Sequence, residues 1–364
     1  MKTSRRKFIV GTGAVVASSS IRGFAAEPEN SAEKLTSVTQ GGDAIIDCQS
    51  HLFSPEIVAL MEKRASDPRV FTKEGVRYVQ MGDWLRKIPS HYLDVKTKLA
   101  TMDANGITRT ALSINDPGPE WFGSEGPTVA KLANTFVADV VRQHPSRFFG
   151  LCVLPMQNQP AAEAELERCV EQLRMKGILL YTNLAGQFPD EAQFRWLFAR
   201  AEQLKVPVLL HPAKPVTIDF VKGYEMTSSL GNMFDNTIAL TRIIMSGLLD
   251  QHPQLKLVCP HLGGTLPYII GRLDHQTQVL KRGPKYLTRA PSEYLRQVWL
   301  DIVSPLPLAI RFAYDFAGPR RLLFASDHPW VEPGVILKSL RALQLPVADE
   351  KRILHTNAEA LFGL

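Results

Sequence analysis

Cysteine is scarce in this chain. There are four, Cys48, Cys152, Cys169 and Cys259, and no two stand in a Cys-x-x-Cys spacing. That pattern excludes a zinc ribbon or a thioredoxin-type motif and leaves buried free thiols as the expected state. Long apolar runs are also missing: no stretch reaches the ~20 apolar residues that a spanning helix needs. No Gly-x-Gly-x-x-Gly follows the first strand-like run, which removes the main reason to expect a dinucleotide-binding sheet. Nor is there a real excess of charge. The formal net charge is +6, but Lys2, Arg5, Arg6, Lys7 and Arg22 all fall in residues 1–26, which hold no acid. The rest carries 37 basic against 36 acidic side chains. No segment clusters Lys and Arg with aromatics, so a nucleic-acid partner is not expected.

Residues 1–26 have the layout of a twin-arginine export signal. Arg5-Arg6 directly precede a modest apolar stretch, Val10 to Ser20, and small residues follow near Ala25-Ala26. The expectation is a periplasmic or secreted protein with no membrane attachment once the signal is cleaved. Residues 27–42 are polar and read as a flexible leader. Residues 43–364 suit one large domain.

Apolar runs alternate with amphipathic segments along that domain. Strands are predicted over Ala44–His51, Arg109–Ile114, Phe148–Leu154, Gly177–Tyr181, Pro207–His211, Lys256–His261, Gln297–Val303 and Arg321–Ser326. Helical patterns lie between most of them, among them Pro127–Gln143, Ala161–Met175, Glu191–Leu204 and Ile238–Leu249. Eight strands alternating with helices predict a (β/α)8 TIM-type barrel. The stretch Ser54 to Ile107 is too long for a simple strand-to-helix unit. It reads as an insertion holding a helix at Pro55–Ala65 and a hairpin at Val70–Met81, near the barrel mouth.

Four strand ends carry groups fit for chemistry: Asp47-Cys48-Gln49-Ser50-His51, His211-Pro212, His261-Leu262-Gly263-Gly264 and Ser326-Asp327-His328-Pro329. The C-terminal rim of a barrel is where such enzymes hold their sites. Side chains alternate along a strand, so Gln49 and His51 share a face. His51, His211 and Asp327 supply two imidazoles and a carboxylate, the three-ligand requirement of a catalytic zinc site; iron or manganese would also be served. Gln49 could add a weak neutral oxygen. His261 could exchange a proton with a bound water or a substrate. His328 is expected to point away from Asp327, and Asp301 to act as a supporting acceptor.

These residues give the chain a resemblance to the amidohydrolase-related superfamily, and within it to the branch of α-amino-β-carboxymuconate-ε-semialdehyde decarboxylase and related aromatic-acid decarboxylases. The likeness runs from about Ile46 to Leu364. It includes Ile46-Asp47 with His51, Arg147-Phe148-Phe149-Gly150, His261-Leu262-Gly263-Gly264 with Leu266-Pro267-Tyr268 and Gly271-Arg272, and Ser326-Asp327 before Pro329. The resemblance implies one divalent metal, zinc first, held by His51, His211 and Asp327, with His261 as acid/base and Asp327 also catalytic. It implies that Arg77 binds a substrate carboxylate. The expected activity is metal-assisted decarboxylation or hydrolysis of a small aromatic or muconate-like carboxylate, with a homodimer left open. Gln49 departs from the family, which has His or Glu at that position. That departure keeps two alternatives in play: a lactone hydrolase that works without metal, and an inactive binding protein.

Overall fold

A computed structural model describes residues 44–364, so the export signal and the leader lie outside the described residues. Among the described residues, eleven strands form two sheets. Eight make the barrel: β1 (Ile45–Leu52), β5 (Ile107–Ile114), β6 (Phe148–Cys152), β7 (Gly177–Tyr181), β8 (Val208–His211), β9 (Leu257–Cys259), β10 (Trp299–Asp301) and β11 (Leu322–Leu323), neighbours in that order. Every adjacent pair is parallel. The reason lies in composition. Segments such as Gly177-Ile178-Leu179-Leu180-Tyr181 are buried at every position, and a strand apolar on both faces is stable only when covered on both. The last strand returns to the first through backbone hydrogen bonds: Cys48 N–H donates to Phe324 O at 2.9 Å, Asp327 N–H to Gln49 O at 3.0 Å and His51 N–H to His328 O at 2.8 Å. The predicted (β/α)8 barrel is therefore the observed one.

Some bounds differ from prediction, with physical causes. Strand β9 stops at Cys259 because Pro260 follows and His261 and Leu262 adopt left-handed backbone, φ 53° and 60°. The helix predicted from Ile238 begins at Asn232 and runs to Met245. Asp235 and Asn236 hide its apolar period, yet both are fully buried. Polar side chains so placed must be serving partners inside the fold.

The insertion holds the predicted helix, at Pro55–Glu62, and a sheet larger than the predicted hairpin. Strand β2 (Arg69–Lys73) pairs antiparallel with β3 (Val76–Met81), which pairs with β4 (Trp84–Lys87). Strand β4 has only four residues, too short to announce itself by alternation. Its alternation still decides its use: Trp84 is buried and Arg86 half-buried on one face, while Leu85 and Lys87 are exposed. Met81, Trp84 and Ile218 form a small apolar cluster with Trp121 against it, separate from the barrel core. No described helix is long and apolar enough to cross a membrane.

Candidate metal centre

His51 lies near the end of β1, His211 ends β8, and Asp327 follows β11. The structure brings their donor atoms within 4.8 Å of one another, all three residues buried. His51 Nε2 is 3.0 Å from His211 Nε2 and 3.2 Å from Asp327 Oδ1. His211 Nε2 is 3.8 Å from the same oxygen. A tetrahedral ion with ligand bonds of about 2.0–2.2 Å has donors about 3.3–3.6 Å apart, so this spacing is that of a coordination shell.

The partners of the other ring nitrogens decide whether a cation fits. His211 Nδ1 is 2.7 Å from the Pro212 carbonyl, which can only accept, so Nδ1 carries the hydrogen. His51 Nδ1 is 2.7 Å from Ser113 Oγ, and that hydroxyl directs its own proton to Ser50 O at 3.5 Å. Both Nε2 atoms are then bare lone pairs facing each other beside a carboxylate. Burial first, and then neighbouring His211, lower His51 to a pKa of about 4, which keeps it neutral. Asp327 is held well below the usual carboxylate range: burial would raise it, and the His261 Nε2 hydrogen aimed at its Oδ2 is among the contacts that outweigh burial. Lone pairs and negative charge at this range repel unless a cation stands among them. The donor set fits a divalent metal.

Gln49 faces the same carboxylate, its Nε2 donating to Asp327 Oδ1 at 3.1 Å. His261 takes the other oxygen, with Nε2 at 3.4 Å from Asp327 Oδ2. Asn236 Nδ2 lies 3.2 Å from His261 Nδ1 and donates to it, which leaves the proton on Nε2 and aimed at Asp327. Burial would lower His261, but the hydrogen bond and charge of Asp327 raise it above its ordinary value. Both His261 and Asp327 have left-handed backbone, φ 53° and 60°. For side chains other than glycine such backbone costs on the order of 1–3 kcal/mol and persists only where the surroundings impose it. Here Asp301 Oδ1 accepts from His261 N–H at 2.7 Å, the supporting role predicted for it.

His328 turns away from the centre, as predicted, with Nδ1 2.7 Å from Lys98 Nζ. Arg77 sits on β3, paired with Glu62 at 3.3 Å, both side chains over a third exposed. Arg86, on β4, stands against segments that follow two of the barrel strands. It bonds Asp116, which follows β5, at 2.8 Å and lies over the rings of Trp84 and Trp330. Nothing in the sequence singles out Ser113, Asn236, Lys98 or Arg86. Each is a lone polar residue in an unremarkable segment, and only the fold shows what it touches. The four cysteines are free and buried, as expected.

A parallel (β/α)8 barrel with two imidazoles and a carboxylate converging at its rim, and a further imidazole on the carboxylate's second oxygen, defines a metal-assisted barrel enzyme. This chain belongs to the amidohydrolase family, whose model matches residues 46–364. It is 30% identical to a gamma-resorcylate decarboxylase of a Rhizobium species over 300 residues, covering 78% of this chain and 91% of that protein. It is 26% identical to the 2-amino-3-carboxymuconate-6-semialdehyde decarboxylase of Dictyostelium discoideum over 293 residues, covering 78% and 80%. Among solved structures, a dihydroxybenzoic acid decarboxylase from a Polaromonas species, with bound manganese and the inhibitor 2-nitroresorcinol, superposes with a TM-score of 0.75 at 26% identity. That match covers 89% of this chain and 98% of the other.

Proposed function

We propose that this protein is a metal-assisted decarboxylase of small aromatic carboxylates. The observation that carries the reading is the pair of bare imidazole nitrogens 3.0 Å apart beside Asp327, in a chain with relatives named as decarboxylases of gamma-resorcylate and 6-methylsalicylic acid. The same observation disfavours a metal-free lactonase, because without a cation those lone pairs have nothing to bind. We assign zinc first, on the ligand types. The manganese in the Polaromonas enzyme makes manganese the rival that elemental analysis resolves.

A divalent ion held by His51, His211 and Asp327 would act as a Lewis acid, drawing electron density from the substrate oxygens beside it. The residues of the chain supply the rest. His261 holds a proton on Nε2 at the edge of the centre, and its raised pKa keeps that proton available. Delivered to the ring carbon that bears the carboxylate, it forms the new C–H bond. The C–C bond then breaks, its electron pair restores the ring, and carbon dioxide leaves. The acid is the imidazolium form, whose charge Asp327 stabilises; Asn236 presents Nδ2 to Nδ1 of the neutral ring and would turn its Oδ1 to accept from Nδ1–H of the charged one, fixing the ring's orientation. Gln49 binds the ligating carboxylate from the side, and its carbonyl is the weak fourth arm in this proposal. The test is product identity: an aromatic carboxylate should yield the decarboxylated arene and one equivalent of carbon dioxide. Hydrolysis of muconolactone-type lactones, with no carbon dioxide from any aromatic acid, would overturn it.

We also propose export by the twin-arginine route, on the strength of Arg5-Arg6 before the apolar run. Replacing both with lysine should retain the protein in the cytoplasm, which cell fractionation reads; unchanged export would refute this part.

A further inference from the structure

Beside the metal centre lies a second group of polar side chains that the chemistry above does not use. Glu120 is 8% exposed and Tyr181 is 2% exposed. Neither Glu120 oxygen nor the Tyr181 hydroxyl has a hydrogen-bond partner among the other described residues. Buried polar atoms are seldom left so, and each such atom calls for a missing partner. Three of them share one place. A Cβ built on Gly118 would collide with both the Tyr181 ring and the Glu120 carboxyl, so the two flank one point of backbone. Tyr181 ends β7, opposite His211 in register, and its ring meets the His211 ring edge-on at 6.0 Å between centroids. Tyr181 therefore borders the ligand cluster directly, in the edge-on contact of an aromatic pair.

We propose that Glu120 and Tyr181 form a polar subsite that recognises a neutral hydroxyl on the ring of a small aromatic carboxylate, away from the carboxylate that leaves. The inference rests on the aromatic-acid reading above. A hydroxyl fits because it can donate and accept at once, as both protein groups can. Burial foremost pushes the Glu120 carboxyl up to about 8; its own backbone N–H opposes the shift and the Asp116 charge adds to it, so the group is a neutral acid at pH 7. A second carboxylate on the substrate would fit poorly. It would sit beside Asp116, whose charge already faces Arg86 at 2.8 Å.

The experiment is calorimetric binding of 2-hydroxybenzoate and of the 2,3-, 2,4-, 2,5- and 2,6-dihydroxybenzoates to the full-length metal-loaded protein. One good hydrogen-bonded hydroxyl should favour at least one dihydroxy acid by about tenfold. Tyr181→Phe and Glu120→Gln, both near-isosteric, should each bring that ratio close to one, whereas a purely structural role would leave it alone. Glu120→Met serves as a second variant if either fails to fold. No preference for any dihydroxy acid, or a preference that survives in both variants, overturns the subsite. A protein that shows the preference yet releases no carbon dioxide contradicts the decarboxylase reading and leaves the subsite standing.

Discussion

At the residue scale the proposed centre divides into groups that would hold an ion and a group that would move a proton, and substitution should separate them. His211→Ala removes one of two bare imidazole donors and should lose most bound metal and nearly all activity. His261→Asn leaves the three ligands in place and should keep its metal while losing about 10²- to 10⁴-fold in rate, the usual worth of a positioned acid or base. Metal content and turnover on the same samples decide both. Full occupancy in the first variant, or unchanged turnover in the second, contradicts the assignment. Gln49→His puts an imidazole two residues from His51 on the same strand face and should tighten metal binding in competition with a chelator; no gain would show that position 49 does not reach the ion. His51, His211, His261 and Asp327 were legible in the sequence because each closes an apolar run. Ser113 and Asn236 were not, because their value lies in which ring nitrogen they bond, and spacing carries no such information.

At the element scale the site depends on how strand β1 meets the turn after β11. Lys98, on the helix Val95–Ala104, is 1% exposed, and its ammonium spans the join. It donates to Ser50 Oγ at 2.5 Å and to His328 O at 3.0 Å. Burial first pulls its pKa down to about 7 from the ordinary lysine value. Lys98→Met should leave His328 Nδ1 without its donor and remove the ammonium's bonds to Ser50 Oγ and His328 O, at a cost on the order of 1–3 kcal/mol. Because His51 and Asp327 sit next to the two tied residues, metal affinity should fall as well. Thermal melting and chelator competition check this, and a variant that melts and binds like the parent would deny the tie any role. The eight barrel strands were readable because parallel strands buried on both faces are nearly continuous apolar runs. Strand β4 was not readable, since four residues with one buried tryptophan carry too little pattern. The early start of the helix Asn232–Met245 was masked by Asp235 and Asn236, which are polar in sequence and core in place.

For the whole molecule, near-neutral charge beyond residues 1–26 and the ordered set of strand-end motifs pointed to an enzyme for small molecules, and the family match over residues 46–364 agrees. Arg77 and Arg86 show the limit of reading an insertion without its fold. The two lie nine residues apart on neighbouring strands, one paired at the surface with Glu62 and the other against Asp116, which follows β5. Binding should also stabilise the fold, since an ion that binds only the native state adds about 2.7 kcal/mol at a hundredfold excess over its Kd. Chelation should therefore lower the melting temperature, and an unshifted melt would argue against a tightly held ion. The central claim is tested most directly by a metal titration of the chelated full-length protein, reading carbon dioxide released from a hydroxybenzoate. Activity should start near zero, rise linearly with added zinc or manganese, and level off at one ion per chain. Full turnover in the chelated protein, indifferent to added metal, would contradict it.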